Sequence, residues 1–386
     1  MTYDFIVVGA GISGAASAYH LRETGANVLL IERGEPASGG TGKSAAIIRQ
    51  SYSTPLLVRL AHASITMLAR AKDELGQDAG LVQSGYCFLI ASDMLDGARR
   101  NVAMQKALGI VNEWCDGAGF GQHLPDLNPD GIAAIVYEPH GGYADPVRAT
   151  EAYVAAFRRL GGELQSRTPV RRLVRRGDRV AGVELDTGTI SASFVVNAAG
   201  PWAKPLAESA GLALPLRTVR EQDTVWQVPA GRKLPSASIS NGVDAIYLRP
   251  LGHGRFIIGR GFPKDYVDVD PYNYRVTADD AFIADVQARA EHRFPAFAGM
   301  KLIEAYAALY DVTPDWYPFV GPRGGIEGYA DFCGGSGHGF KIAPSIAREL
   351  ADWLIAGKVA DDFRQLSHDR IATDNLFVQS FGGNRG

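Results

Sequence analysis

Three glycines, Gly9, Gly11 and Gly14, sit in the run DFIVVGAGISG from Asp4 to Gly14 and carry the first chemical signal in the chain. Their G-x-G-x-x-G spacing follows the apolar run Phe5–Val8 and precedes a helix-forming segment, which predicts a strand, a tight turn and a helix in that order. Gly9 permits the turn, Gly11 lets backbone approach a pyrophosphate, and Gly14 lets the helix pack on the strand. The helix starting at Ile12 then offers unpaired N–H groups to anionic phosphate. A second apolar strand, Val28–Ile31, ends in Glu32, a carboxylate that can accept both hydroxyls of a ribose and argues against a 2′-phosphate. The chemistry these residues suit is the holding of a dinucleotide.

Two further loops have related chemistry. Between Pro36 and Pro55, Gly39, Gly40, Thr41, Gly42, Lys43 and Ser44 precede Arg49; small residues with hydroxyls let N–H and O–H groups surround phosphates or a flat ring. The same composition also suits a flexible surface linker. Near the other end, Gly334–Gly339 lies between a strand, Tyr329–Cys333, and a helix carrying Ile346, Leu350, Trp353 and Leu354 to Gly357, repeating the logic of the N-terminus. Two nucleotide-type loops at opposite ends predict a discontinuous domain that brings both to one ligand.

The elements that must position these loops are legible in outline. The first helix reads as Ile12–Glu23 with Gly25 as its stop, and Thr54–Pro55 opens another whose Leu57, Leu60, Ala61, Ser64, Ile65 and Leu68 repeat at helical spacing. From Ser84 the period changes, with YCFLI and IAAIVYEP reading as strands of a second sheet around a helical insert near Asp96–Leu108. Asp145–Pro146 restarts a helix in which Val147, Thr150, Val154 and Phe157 face one way. Short strands fill Arg167–Gly200, a short helix follows in Pro201–Arg217, and strands return at Thr224–Val228, Ala245–Arg249 and Phe256–Gly259 before a helix over Thr277–Phe294. The terminal SFGGNRG reads as a mobile tail.

Composition narrows the function classes. A chain of 386 residues, 46% hydrophobic, can bury a large core and reads as two or three domains. Lys+Arg 39 against Asp+Glu 42 leaves a formal charge of −3, too balanced for a surface that binds polyanions, and the arginines at 167, 171, 172, 175, 176 and 179 lack interleaved aromatics for base stacking. Nucleic acid is not the expected partner. No apolar run approaches a membrane span, and MTYDF has no basic leader region, so a cytoplasmic location is expected. Cys87, Cys115 and Cys333 are an odd number without metal-ligand spacing, which fits reduced thiols and predicts no metal.

GAGISG with IER, GKSAAIIRQ, VVNAAGPWA, LYDVTPDWYPFVGP and GGSGHGFK, in that order across nearly the whole chain, resemble the FAD-dependent amine and amino-acid oxidoreductases of the sarcosine oxidase, glycine oxidase and D-amino-acid oxidase group. The resemblance implies an α/β fold: a discontinuous Rossmann-like FAD-binding domain, residues 1–83, 145–220 and 310–386, and a mainly antiparallel β-sheet substrate domain with covering helices, residues 84–144 and 221–309. It implies FAD in an extended form, a C–H bond beside nitrogen giving hydride to the flavin, and an imine that hydrolyses. By the same resemblance, Gly9, Gly11, Ile12, Ser13 and Gly14 match the pyrophosphate turn, Glu32 and Arg33 the adenosine end, and Thr41, Gly42, Lys43 and Ser44 the loop near the flavin. Val170 matches a backbone contact to adenine, while Ala199, Gly200 and Trp202 match a second strand–turn. Gly335, Gly337, His338, Gly339, Phe340 and Lys341 match the loop on the pyrimidine side of the flavin.

Arg49 and Lys341 match the pair that grips the substrate carboxylate in sarcosine oxidases; an arginine fork suits a carboxylate bidentately and a lysine adds a point charge. An alternative for Arg49 is a structural ion pair with Glu32 or Asp311. Tyr247 matches a pocket tyrosine that hydrogen-bonds the carboxylate or packs the core, and His338 in its GHG setting suits backbone shape better than proton transfer. The cysteine that links flavin covalently in monomeric sarcosine oxidases falls at Ala308, so FAD is expected to be non-covalent, with Cys333 a packing residue. The lysine that promotes reaction with oxygen there falls near Ile257–Ile258, which leaves a quinone or another carrier open as acceptor beside oxygen. Two alternatives to an amine substrate stand: a 2-hydroxy acid, which would use the same clamp, and a role as the flavin subunit of a larger complex.

Overall fold

The computed structural model describes residues 2–381. Its first sheet has eight strands. Phe319–Pro322, Tyr329–Cys333, Gly188–Asn197, Thr2–Val8, Val28–Ile31 and Glu163–Gln165 lie side by side in that order, and the hairpin Arg172–Arg176 with Arg179–Leu185 extends Gly188–Asn197. The central pairings are parallel, with Phe5 opposite both Val28 and Phe194 and Val8 opposite both Ile31 and Asn197. Phe5–Val8 is therefore buried on both faces, as its unbroken apolar run required. Phe5 and Val7 pack against the helices Ile12–Glu23, Pro55–Ala69, Pro146–Arg159 and Ala343–Ala356, while Ile6 and Val8 join Leu29, Ile31 and Val195 on the opposite face.

The helix Ile12–Glu23 has the predicted bounds, with Gly25 at φ +91° just beyond it. Pro146–Arg159 is capped by Asp145, whose Oδ1 accepts the N–H groups of Val147 and Arg148. On that helix Thr150, Val154 and Phe157 are buried, but Val147, in the first turn, is 38% exposed rather than part of the packed face.

The second sheet has nine strands: Val267–Asp268, Arg217–Gln227, Arg255–Arg260, Ile246–Gly252, Ser238–Asn241, Tyr86–Ile90, Ala134–Glu138 and Glu113–Cys115, with Lys301–Val312 pairing along Arg217–Gln227. All contacts are antiparallel except Ser238–Asn241 with Tyr86–Ile90. The helix Asp280–Arg293 covers one face through Val286 and Ala290, and Leu95–Ala107 packs through Ala98 and Val102 under Tyr86, Phe88 and Ile90. The expected boundaries at 220/221 and 309/310 fall inside two long strands, which pair from Arg217 opposite Val312 to Gln227 opposite Lys301.

All three cysteines are free and buried. Cys115 also lies with Glu113 and His123, their ligand atoms within 4.8 Å of one another, a proximity that linear spacing did not reveal. Among the described residues no helix is long and apolar enough to cross a membrane. At the C-terminus, Ser380 Oγ donates to Asn101 Oδ1 at 3.1 Å and the Phe381 ring packs edge-on to Phe88, so the start of the expected tail is anchored; residues 382–386 lie outside the described residues.

Candidate active site

A cleft of about 940 Å³ runs along the C-terminal ends of the parallel strands, where a doubly wound sheet opens a crevice for ligands. Gly9, Gly11, Ile12 and Ser13 line it, and the residue that opens the Ile12–Glu23 helix, Gly11, has no side chain with which to cap it. A Cβ on Gly11 would stand 2.9 Å from Thr41 Oγ1, the atom that accepts the Ile12 N–H at 3.2 Å. Glu32 is fixed through both oxygens: Ala10 N–H donates to Oε2 and Gly34 N–H to Oε1, each at 2.8 Å. Carboxylate oxygens accept more than one hydrogen bond, so this anchoring is compatible with ribose binding. Arg33 lies 4.0 Å over the Trp202 ring, and Val170, Ala199, Gly200 and Trp202 line the same stretch of cleft. Across it, Gly335, Gly337, Gly339 and Phe340 form the second glycine loop, whose base is tied by Asp311 accepting the Gly334 N–H at 2.6 Å. The two distant glycine turns thus border one space.

Lys43 and Ser44 line the cleft, but the Lys43 ammonium is engaged by Tyr274 Oη and the Ala307 carbonyl, both at 3.3 Å. Four residues expected at the cofactor do not line the cleft, namely Gly14, Gly42, His338 and Lys341, the last of which lines an adjoining chamber. Gly14 sits in the helix–strand contact, where a Cβ would lie 1.8 Å from the Gly9 carbonyl oxygen. Gly42 faces the Ala37 carbonyl, 2.4 Å from where a Cβ would be. The His338 ring is buried behind the loop: Nε2 donates to the Trp316 carbonyl at 2.7 Å, which leaves Nδ1 to accept from Tyr52 Oη at 3.4 Å. Burial, then the Lys341 charge, pushes the imidazole down to about 3, so it is neutral and structural at physiological pH.

A smaller chamber of about 90 Å³ adjoins the cleft, sharing Ser44, Ala45, Tyr310, Gly337 and Phe340 with it. Arg49, Lys341 and Tyr247 all line this chamber, with Tyr86, Phe88 and Phe262 as aromatic walls. Arg49 is 5% exposed, stacks 4.3 Å from the Tyr52 ring and donates to the Ser51 carbonyl. Glu138 is an acidic neighbour, buried, influenced by the Arg49 charge and accepting the Gln50 N–H at 2.7 Å. Burial pushes the Glu138 carboxyl up to about 7, so near neutral pH it offsets Arg49 only in part. Lys341 is held well below the usual lysine range by burial and by the Arg49 charge. Two basic groups buried in one chamber each raise the cost of charging the other.

Tyr247 occupies the chamber wall, but its hydroxyl donates to Asp223 Oδ1 at 2.6 Å. That proton is committed to an acid, not left for a substrate carboxylate. Asp223, Glu221 and Tyr310 line the cleft beside it, and the Lys264 ammonium is held by Glu221 and the Arg260 carbonyl. These residues escaped the sequence reading, which began the strand at Thr224 when it starts at Arg217. The signal was present: Glu221 and Asp223 alternate in EQDTVW, so a strand places both acids on one face. Ala308 lines the cleft, and Ile258 is buried in the core of the second sheet.

The glycine cradle, the anchored acid at the end of the second strand and the cleft's extent fit an extended dinucleotide such as FAD. The model of the family described as "DAO: FAD dependent oxidoreductase" matches residues 4–353. The chain is 29% identical over 368 residues to a glycine oxidase of Pseudomonas aeruginosa, covering 93% of this chain and 96% of that one. It is 27% identical over 377 residues to a 4-methylaminobutanoate oxidase (formaldehyde-forming) of Paenarthrobacter nicotinovorans, covering 95% of this chain and 45% of that one. Several curated relatives it matches are, like the latter, more than twice the matched length, so the chain spans less than half of them. Its fold superposes on the crystal structure of L-proline dehydrogenase from P. horikoshii with a TM-score of 0.89, 25% identity and coverage of 97% of this chain and 99% of that one. With the family match spanning both glycine loops, the chain belongs to the FAD-dependent oxidoreductase family, and FAD is its cofactor.

Proposed function

We propose that this oxidoreductase dehydrogenates a small amino acid or N-alkyl amino acid whose carboxylate is held between Arg49 and Lys341. The observation that carries the reading is the pair itself. Both cations are buried in one small chamber, and the lysine is destabilised in its charged form by burial and by the arginine. A substrate carboxylate relieves that repulsion and gains charge-assisted hydrogen bonds from the guanidinium fork. Clamping the acid end also fixes the carbon that must react, which supplies most of the benefit of orientation. Tyr86, Phe88, Phe262 and Tyr310 restrict the remaining volume to a small side chain or N-alkyl group.

In this reading the first sheet and its helices hold FAD, and the second sheet with its covering helices forms the substrate lobe. Gly9, Gly11, Ile12 and Ser13 would hold the pyrophosphate, Glu32 and Arg33 the adenosine end, and Gly335, Gly337, Gly339 and Phe340 the other end. When bound, FAD supplies a two-electron acceptor for the hydride that leaves the carbon beside nitrogen. Attachment is non-covalent: Ala308 has no nucleophile, and burial keeps the Cys333 thiol protonated, well above its usual range. Electrons pass on to oxygen or to another carrier.

An anaerobic titration of the purified yellow protein tests the substrate class. Bleaching of the flavin by small amino acids or N-methylamino acids supports the proposal, and bleaching by 2-hydroxy acids alone overturns it. Reoxidation of the bleached protein by air or by a quinone then identifies the acceptor.

A further inference from the structure

We infer that Tyr247 and Asp223 form a proton relay that accepts the ammonium proton of a substrate bound in its protonated form. The inference rests on the proposed carboxylate clamp and names the group at the substrate's other end.

Three adjacent strands build the relay. Tyr247 on Ile246–Gly252 and Asp223 on Arg217–Gln227 both pair with Gly259 on the strand between them. The tyrosine reaches across that glycine to its 2.6 Å bond with Asp223. A Cβ on Gly259 would stand 2.4 Å from Tyr247 Oη and 2.5 Å from Asp223 Oδ1, so only glycine leaves the path open. Tyr247 lines the chamber that holds Arg49 and Lys341, whereas Asp223 lines the main cleft. The tyrosine is thus the link between the chamber and a buried acid outside it.

The charges around the acid favour this role. Glu221, on the same strand, is already paired with Lys264, so Asp223 has a neutral hydroxyl as its partner. Tyr306 and Tyr310 approach from Lys301–Val312, both phenols pushed up by burial, Tyr306 also by Asp223 and Glu304 and Tyr310 also by Glu221 and Asp223, and Arg249 faces Tyr306. Burial, with Glu221 adding to it against Tyr247 and Lys264, pushes the Asp223 carboxyl up to about 7, a value suited to exchanging a proton near neutrality.

The step balances as a proton transfer. A substrate N–H bond breaks as an O–H bond forms on Tyr247 Oη, and the proton that Tyr247 held moves to Asp223 Oδ1. No electrons change hands. The amine is left neutral, with the lone pair from which a hydride loss at the neighbouring carbon is assisted, and Tyr247 ends uncharged.

The test compares Asp223→Asn and Tyr247→Phe with the wild type, using N-methylglycine as substrate and propionate as a ligand that has the acid but no amine. In the wild type, the anaerobic flavin-reduction rate rises as pH passes upward through the Asp223 ionisation near 7. Each variant is expected to lose that inflection and about 100-fold in rate at neutral pH. Propionate affinity, read from the flavin spectrum, stays unchanged, and the double variant is no slower than the slower single one. Retention of the inflection in either variant, or loss of propionate binding in step with the rate, overturns the relay. A wild type that binds no propionate while amines still reduce it removes the clamp instead. One that no amine reduces removes the amine reading and the relay together.

Discussion

The residues lining the chamber are of two kinds: two basic groups, and a hydroxyl backed by a buried acid. Arg49→Ala should weaken binding of a carboxylate ligand by about 2–4 kcal/mol, because it removes charge-assisted hydrogen bonds and leaves Glu138 less compensated. Flavin content should not change, since Arg49 lines the chamber and not the main cleft. Spectral titration with propionate measures the first and the absorbance ratio of the purified protein the second. His338 gives a separate prediction about stability. Its folded value of about 3 lies below the ordinary 6.5, so between these values the folded chain binds fewer protons than the unfolded one. The stability it contributes is present above about pH 6.5 and declines as pH falls towards 3, by about 2 kcal/mol between pH 6.5 and pH 5. Asp223 and Glu138, both pushed up to about 7, act in the opposite sense, which is why the comparison must be with a variant. His338→Gln should show a smaller loss of denaturant stability over that interval than the wild type.

At the scale of the elements, close backbone approaches fix what can be substituted. Gly14→Ala would press a methyl against the Gly9 carbonyl in the middle of the strand–helix contact, where neither backbone can yield cheaply. A loss of about 1–3 kcal/mol from overpacking is expected, and with the helix start displaced the protein should purify with little FAD. Gly11→Ala meets a softer obstacle, the Thr41 hydroxyl, and should retain more cofactor. The strand Arg255–Arg260 offers the matching test in the second sheet. Gly259→Ala would push Tyr247 and Asp223 apart while keeping both residues in the chain. It should show altered pH dependence of reduction, measured by stopped-flow spectroscopy.

For the whole molecule, the long antiparallel pair Arg217–Gln227 and Lys301–Val312 reaches from the cleft into the second sheet. The cleft is lined from both sheets, by Gly9 and Glu32 from the first and Glu221, Asp223 and Tyr310 from the second. A ligand filling it binds only the fully assembled fold, so FAD at about 100 times its dissociation constant should add about 2.7 kcal/mol of stability to the whole chain. Calorimetry with and without added FAD measures this, and an unchanged transition would show that the cleft is not the cofactor site. Because several relatives are more than twice the matched length, turnover by this chain alone is also informative. Full flavin reduction by substrate as a single species in size-exclusion chromatography is expected, since cleft and chamber are both built from this one chain.

The parts of this protein governed by local chemistry could be read directly from its sequence. The strand Phe5–Val8, the glycine turn, the helix from Ile12 to Glu23, the acid at residue 32 and the second glycine loop each follow from period, backbone freedom and the needs of a phosphate, all set within a few residues. The joining of residues 49, 247 and 341 in one chamber was known only through resemblance, because nothing local brings them together. Tertiary structure alone revealed Asp223 behind Tyr247, Glu138 near Arg49 and the seclusion of His338. Such contacts depend on which residues face each other across strands more than twenty positions apart, and on burial, which sets the charge a carboxyl or imidazole carries. Neither the register of distant strands nor the depth of a side chain is written in its immediate neighbours.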